Sequence, residues 1–116
     1  MVRVVLIDDD HGFRSALAEN LRDDGHGVFE YTAPGELPPL ATLSGVGLLI
    51  TDYEFPRSSG LALADTFHLV HPTVPIVLMT AFPTRYLMAQ SAARDFMHLL
   101  AKPFDYARLR EILQNL

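Results

Sequence analysis

Short apolar runs alternate along this chain with longer stretches of helical period, and four of the runs stop on a polar residue able to do chemistry. Residues 2–7 run into Asp8-Asp9-Asp10, residues 46–51 into Asp52, residues 74–79 into Thr80, and residues 99–101 into Lys102. The alternation is the pattern of βαβ units around a parallel sheet. It predicts strands at about 2–7, 27–31, 47–51, 75–79 and 98–101. Val4-Val5-Leu6-Ile7 and Ile76-Val77-Leu78-Met79 are apolar without interruption. Such runs suit parallel strands covered on both faces.

Between them the apolar positions recur at helical spacing. Phe13, Ala16, Leu17 and Leu21 predict a first helix over about 12–24 that stops at Gly25. Leu61, Leu63, Ala64, Phe67 and Leu69 predict a third over about 60–70, ending before Pro72. A fourth over about 84–94 is preceded by Pro83, a residue suited to a first turn, and a fifth over about 105–115 has Asp105 as cap and Leu109, Ile112 and Leu113 as its apolar stripe. The second helix is the exception. Pro34, Pro38 and Pro39 fall inside it, and an interior proline costs on the order of 3 kcal/mol. The expectation there is a short helix over about 38–43 or an irregular segment. Five strands and five helices in alternation describe a flavodoxin-like, doubly wound α/β sheet of order 2-1-3-4-5. Strands 1 and 3 then meet at the switch point, so Asp8, Asp9, Asp10 and Asp52 converge at the carboxyl edge.

Length and charge narrow the picture. A chain of 116 residues is one domain by length, 1–116, and buries roughly two thirds of its unfolded surface. Fourteen acids against nine bases, a net charge of −5, argue against direct nucleic-acid binding, which needs clustered Lys and Arg. There is no cysteine, hence no disulfide framework and no thiolate metal site. No apolar run approaches the ~20 residues of a bilayer span, and the start of the chain is too soon charged for a signal peptide. The expectation is a cytoplasmic protein with no membrane contact.

The strand-end residues suit one chemistry together. Crowded carboxylates repel one another and favour a cation. Oxygen ligands in a shallow site select Mg²⁺, which keeps several of its waters. Asp52 can also be a nucleophile that forms an aspartyl phosphate. Thr80 offers a hydroxyl donor, and Lys102, the one lysine in the chain, offers a point charge for a phosphoryl oxygen. Asp10 reads as a helix cap. His11, His26, His68, His71 and His98 have no spacing suited to a transition metal and read as surface or boundary residues.

With these residues in place the chain resembles the receiver domain of two-component response regulators. The resemblance rests on Leu6-Ile7-Asp8-Asp9-Asp10 with Arg14, on Leu49-Ile50-Thr51-Asp52 with Pro56 and Gly60, on Met79-Thr80-Ala81, and on Lys102-Pro103-Phe104, in that order. It implies that Asp52 accepts a phosphoryl group from a histidine kinase or phosphotransfer protein in a Mg²⁺-dependent reaction. Asp9 would bind the metal directly, Asp8 through water, and the Glu54 backbone carbonyl would add an oxygen. Thr80 would move toward the phosphate and Lys102 would bind it, and a cis peptide is implied at Lys102-Pro103. Such a domain catalyses only its own phosphorylation and dephosphorylation. The surface of the fourth helix, fifth strand and fifth helix, with Tyr86, Met88, Phe96 and Tyr106, would serve a homodimer or an output domain.

The chain also departs from that family. Leu99 stands where the family usually has a Tyr or Phe switch residue, and Asp95-Phe96 where it usually has Gly-Ala. Two further positions tune the rate in that family: two residues after Asp52 stands Glu54, whose side chain would add negative charge beside the metal or ligate it, and two after Thr80 stands Phe82, which would screen the acyl phosphate from water. Two rival readings follow: a receiver-like interaction module that is not phosphorylated, motivated by Leu99 and the prolines, and a Mg²⁺-dependent aspartate-nucleophile phosphatase, in which Glu54 would be the acid-base residue.

Overall fold

The apolar runs pair edge to edge as five parallel strands, because a chain that crosses back over the sheet after each strand re-enters it in the same direction. A computed structural model describes all 116 residues. The strands are β1 (Arg3–Ile7), β2 (Gly27–Tyr31), β3 (Val46–Asp52), β4 (Ile76–Thr80) and β5 (Met97–Ala101). Their order is β2-β1-β3-β4-β5. The helices are α1 (His11–Asp23), α2 (Gly60–Val70), α3 (Arg85–Ala92) and α4 (Tyr106–Gln114). The predicted third, fourth and fifth helices are therefore α2, α3 and α4.

Of the two paths open for the second helix, the structure takes the irregular one. The segment between β2 and β3 holds only two single 3₁₀ turns, Pro34–Glu36 and Leu40–Thr42. Pro38 and Pro39 supply no N–H to an i→i−4 ladder, so the chain closes with short i→i+3 bonds such as Thr42 N to Pro39 O at 2.8 Å. The sheet thus carries four α-helices instead of five. Two caps also differ from expectation. The side chain of Asp105, which precedes α4, accepts no capping bond, and α3 is capped by Thr84, which accepts from Leu87 N, so Pro83 lies before the cap.

Both faces of the sheet are covered, which explains the uninterrupted apolar strands. Val4, Leu6, Ile50 and Met79 face one core with Leu17, Leu21 and Leu109 from α1 and α4. Val5, Ile7, Leu49 and Leu78 face the other with Leu61, Phe67 and Leu87 from α2 and α3. Parallel register then fixes what emerges at the carboxyl edge. Ile7 lies opposite Thr51, so the next residues, Asp8 and Asp52, leave adjacent strands side by side. Thr80 lies opposite Ala101, so Lys102 follows directly beyond it.

Candidate functional site

Asp8 is fully buried, and its backbone and side chain are held from several directions. Its carbonyl accepts Arg14 Nη1 at 2.7 Å from the first turns of α1. Its Oδ1 accepts the Asp10 amide at 2.9 Å, and its Oδ2 accepts Lys102 Nζ at 2.7 Å. Asp10 Oδ1 in turn caps α1 by accepting the Phe13 amide at 3.0 Å, the role expected of it. Asp9, between them, is exposed. The strand end therefore presents one carboxylate fixed in the protein and one free at the rim.

Asp52 is 5% exposed, and its Oδ1 is buried without a hydrogen-bond partner. Lys102 Nζ lies 3.3 Å from that oxygen, near enough for an ion pair but not aligned as a hydrogen bond. One oxygen from each of Asp8, Asp9 and Asp52 falls within 4.8 Å of the others. Burial, with the charges of Asp8 and Glu54 added, pushes the Asp52 carboxyl up to about 6 against the pull of Lys102. Burial acts against the charge of Lys102 too, but the bond that Lys102 donates to Asp8 and the nearby carboxylates more than offset it and raise its pKa. The ammonium also sits 4.3 Å from the centre of the Phe13 ring, which packs edge-on to Phe104.

This donor set fits a hard divalent cation. It is oxygen only, it includes a buried oxygen lacking a partner, and a single ammonium faces three carboxylates. Glu54 does not join it through its side chain. That carboxylate instead accepts the Thr80 hydroxyl at 2.6 Å.

Gly60 sets the seat of Asp52. Its amide donates to Tyr53 O at 2.8 Å, and a side chain there would drive its Cβ into the Asp52 carbonyl oxygen. The first turn of α2 thus approaches the end of β3 as closely as only glycine permits. The sequence marks Gly60 within the motif without supplying this reason. The Glu54 to Thr80 bond and the Arg14 grip on Asp8 are likewise long-range contacts that periodicity does not reveal. The peptide Lys102-Pro103 is cis, as implied.

Residues 4–114 match the family model of the response regulator receiver domain. The chain belongs to that family. It is 33% identical over 108 residues to the transcriptional regulatory protein PdtaR of Mycobacterium tuberculosis, covering 92% of this chain and 52% of that protein. It is 35% identical over 111 residues to the C4-dicarboxylate transport transcriptional regulatory protein DctD of Rhizobium meliloti, covering 91% of this chain and 23% of the relative. The chain thus spans about half the length of PdtaR and less of DctD. Among solved structures, the response regulator protein TrrA of Thermotoga maritima in complex with Mg(2+)-BeF superposes with a TM-score of 0.84 at 27% identity, over 99% of this chain and 98% of that one. The chemotaxis response regulator CheY4 of Vibrio cholerae superposes at 0.85 with 22% identity, over 99% and 98%.

The receiver domain reading therefore holds, and the flavodoxin-like order 2-1-3-4-5 with it. Nothing supports the phosphatase alternative: the family is a signalling one, and the Glu54 carboxylate that would do acid-base work is bonded to Thr80. No helix is long and apolar enough to cross a membrane. Of the four residues expected on the contact surface, Tyr86 and Met88 are exposed at 62% and 48%. The other two are engaged within the chain. Phe96 stacks on His68 at 3.7 Å, and the Tyr106 hydroxyl donates to Asp24 Oδ2 at 2.9 Å. Leu99 is partly buried against the core beneath α2 and α3.

Proposed function

We propose that residues 1–116 act as one receiver unit in which Asp52 accepts a phosphoryl group from the phosphohistidine of a kinase or phosphotransfer protein. The observation that carries this is Asp52 Oδ1: a buried carboxylate oxygen with no hydrogen-bond partner, 3.3 Å from Lys102 Nζ, at the acidic mouth of the sheet. A carboxylate so placed is a nucleophile with one open lone-pair direction. Its oxygen bonds to phosphorus as the phosphorus–nitrogen bond breaks, and the departing imidazole keeps the electron pair and takes up a proton. Asp8, Asp9, Asp52 and the Glu54 backbone carbonyl are the groups that would hold Mg²⁺, with Asp8 acting through water. When bound, the cation supplies charge neutralisation for the loose transition state.

Lys102 serves the same end from the protein side. Asp8 positions its ammonium, and its raised pKa keeps it charged, so it can pass from the two aspartates to an incoming phosphoryl oxygen. Thr80, at the adjacent strand end, is the hydroxyl that turns to the phosphate. The change in its position would reach a partner surface on α3, β5 and α4, where Tyr86 and Met88 stand exposed, with Leu99 beneath in place of a ring. We place the protein in the cytoplasm with its kinase, and assign it no direct nucleic-acid partner.

Incubation with acetyl phosphate and Mg²⁺, followed by mass spectrometry, tests this. One phosphoryl adduct on Asp52 is expected in the parent chain and none in Asp52→Asn. In Lys102→Ala the rate is expected to fall by about a hundredfold, since one preorganised charge is worth ~10²–10³ in rate. No adduct in the parent chain would favour the interaction module that is not phosphorylated, and continuous release of phosphate at an enzymatic rate would favour a hydrolase.

A further inference from the structure

Thr80 carries one hydroxyl proton, and it is already donated. Its Oγ1 lies 2.6 Å from Glu54 Oε1, and the same oxygen accepts the Phe82 amide at 3.1 Å. A hydroxyl has a single O–H donor, so Thr80 as found has nothing to offer a group on Asp52. Glu54 itself is tied close by. The Tyr53 amide donates to Met79 O at 2.8 Å, the Tyr53 carbonyl accepts Gly60 N at 2.8 Å, and Glu54 forms a β-bridge with Ser59. The backbone between Asp52 and Glu54 is anchored on both sides, which leaves the Glu54 side chain as the part that can move. That side chain is exposed toward solvent, so it can swing away without leaving a cavity.

We propose that Glu54 is a latch: its carboxylate holds the Thr80 hydroxyl in the unphosphorylated chain, and a phosphoryl group on Asp52 must displace it to gain that donor. The inference rests on the reading of Asp52 as the phosphoacceptor and adds a regulatory device to it. Two effects open the latch together. A phosphoryl group replaces the single charge of the Asp52 carboxylate with about −1.5 to −2, carried further out from the strand end, and this repels the Glu54 carboxylate two residues on. It also presents three strong acceptor oxygens to a hydroxyl that can serve only one partner. The displaced bond to an ionised group is of the stronger kind, so the latch sets a threshold for switching.

Binding of beryllofluoride in Mg²⁺, with the anion in place of the phosphoryl group, measures that threshold by calorimetry. Glu54→Ala is expected to lower the dissociation constant about tenfold, which is about 1.4 kcal/mol. Removing a negative charge near an anion would tighten binding by itself, so the decisive comparison is a double-mutant cycle with Thr80→Ala. If Glu54 works by holding Thr80, most of the tenfold gain disappears in the Thr80→Ala background. If the gain is the same in both backgrounds, or absent from the single variant, the latch is overturned.

A spectroscopic readout on the variant without added metal or anion accompanies it, with the beryllofluoride-bound parent chain as the reference. The Phe82 amide resonance is expected to shift in Glu54→Ala, toward its position in the parent chain with beryllofluoride. An unmoved resonance also overturns the proposal. Failure of the underlying reading looks different: the parent chain would take up no beryllofluoride, or Asp52→Asn would take it up equally well.

Discussion

Asp52→Asn is expected to be more stable than the parent chain in chelator at neutral pH, although it removes the proposed phosphoacceptor. The native Asp52 carboxyl titrates at about 6 against an ordinary 3.8, because burial and the neighbouring acids Asp8 and Glu54 disfavour its charge more than Lys102 favours it. A raised native pKa means that the folded chain binds the proton more tightly than the unfolded one. Stability from this group therefore falls as pH rises through the window from about 4 to 6, and above it the ionised carboxylate is a standing penalty. Two pH units correspond to on the order of 2–3 kcal/mol. Asparagine keeps the shape and removes the charge.

Thermal melts at pH 7 in chelator check this: the variant is expected to melt several degrees higher. The gap is expected to narrow as the pH is lowered toward 4, where the parent's Asp52 is protonated. Added Mg²⁺ is expected to narrow it too, since a ligand that binds the folded parent more tightly than the variant stabilises the parent more. A variant that melts below the parent in chelator would mean that Lys102, not burial, dominates the Asp52 environment.

Gly60→Ala has the other large effect, and two principles oppose each other there. Gly60 is the first residue of α2, and intrinsic helix propensity favours alanine over glycine by up to about 1 kcal/mol. Against that, the new Cβ would meet a backbone carbonyl, that of Asp52, and also Leu78. A backbone atom at the end of a central strand cannot swing aside as a flexible side chain can. Either α2 lifts off the sheet or β3 shifts, and a net loss of about 3 kcal/mol is expected.

The functional cost follows from the second route. A shift of β3 moves Asp52 against Lys102, and a displacement of about 1 Å at a reacting group can cost ~10² in rate. Denaturant melts and the rate of labelling by acetyl phosphate measure the two effects. Gly35→Ala is the control, because nothing lies within 4 Å of a Cβ at Gly35. If both glycine variants behave alike, close approach at Gly60 is not what shapes the site.

The strands, their order and the gathering of Asp8, Asp52, Thr80 and Lys102 were legible because they follow from one kind of regularity. A buried parallel strand must be apolar along its whole length, so the residue that ends the run also ends the strand. What escaped the sequence depends on contacts between positions far apart in the chain. Glu54 reads as a charge near a metal until the structure sets it against Thr80, 26 residues on. Tyr106 reads as a surface aromatic until its hydroxyl finds Asp24, 82 residues away. The missing second helix lay between these cases: the prolines signalled trouble, but propensity alone left a short helix and an irregular path both open.

That irregular path has a bearing on how the chain tolerates change. Around Pro39 the backbone is fastened by single local turns and by a contact of 2.7 Å between Leu40 O and Nε2 of His71, just past the end of α2. Segments with few and local bonds open with little free energy while the sheet stays closed. This flank is accordingly where a tag, a longer linker or a pair of new chain ends could be grafted with the least disturbance to the rest of the molecule.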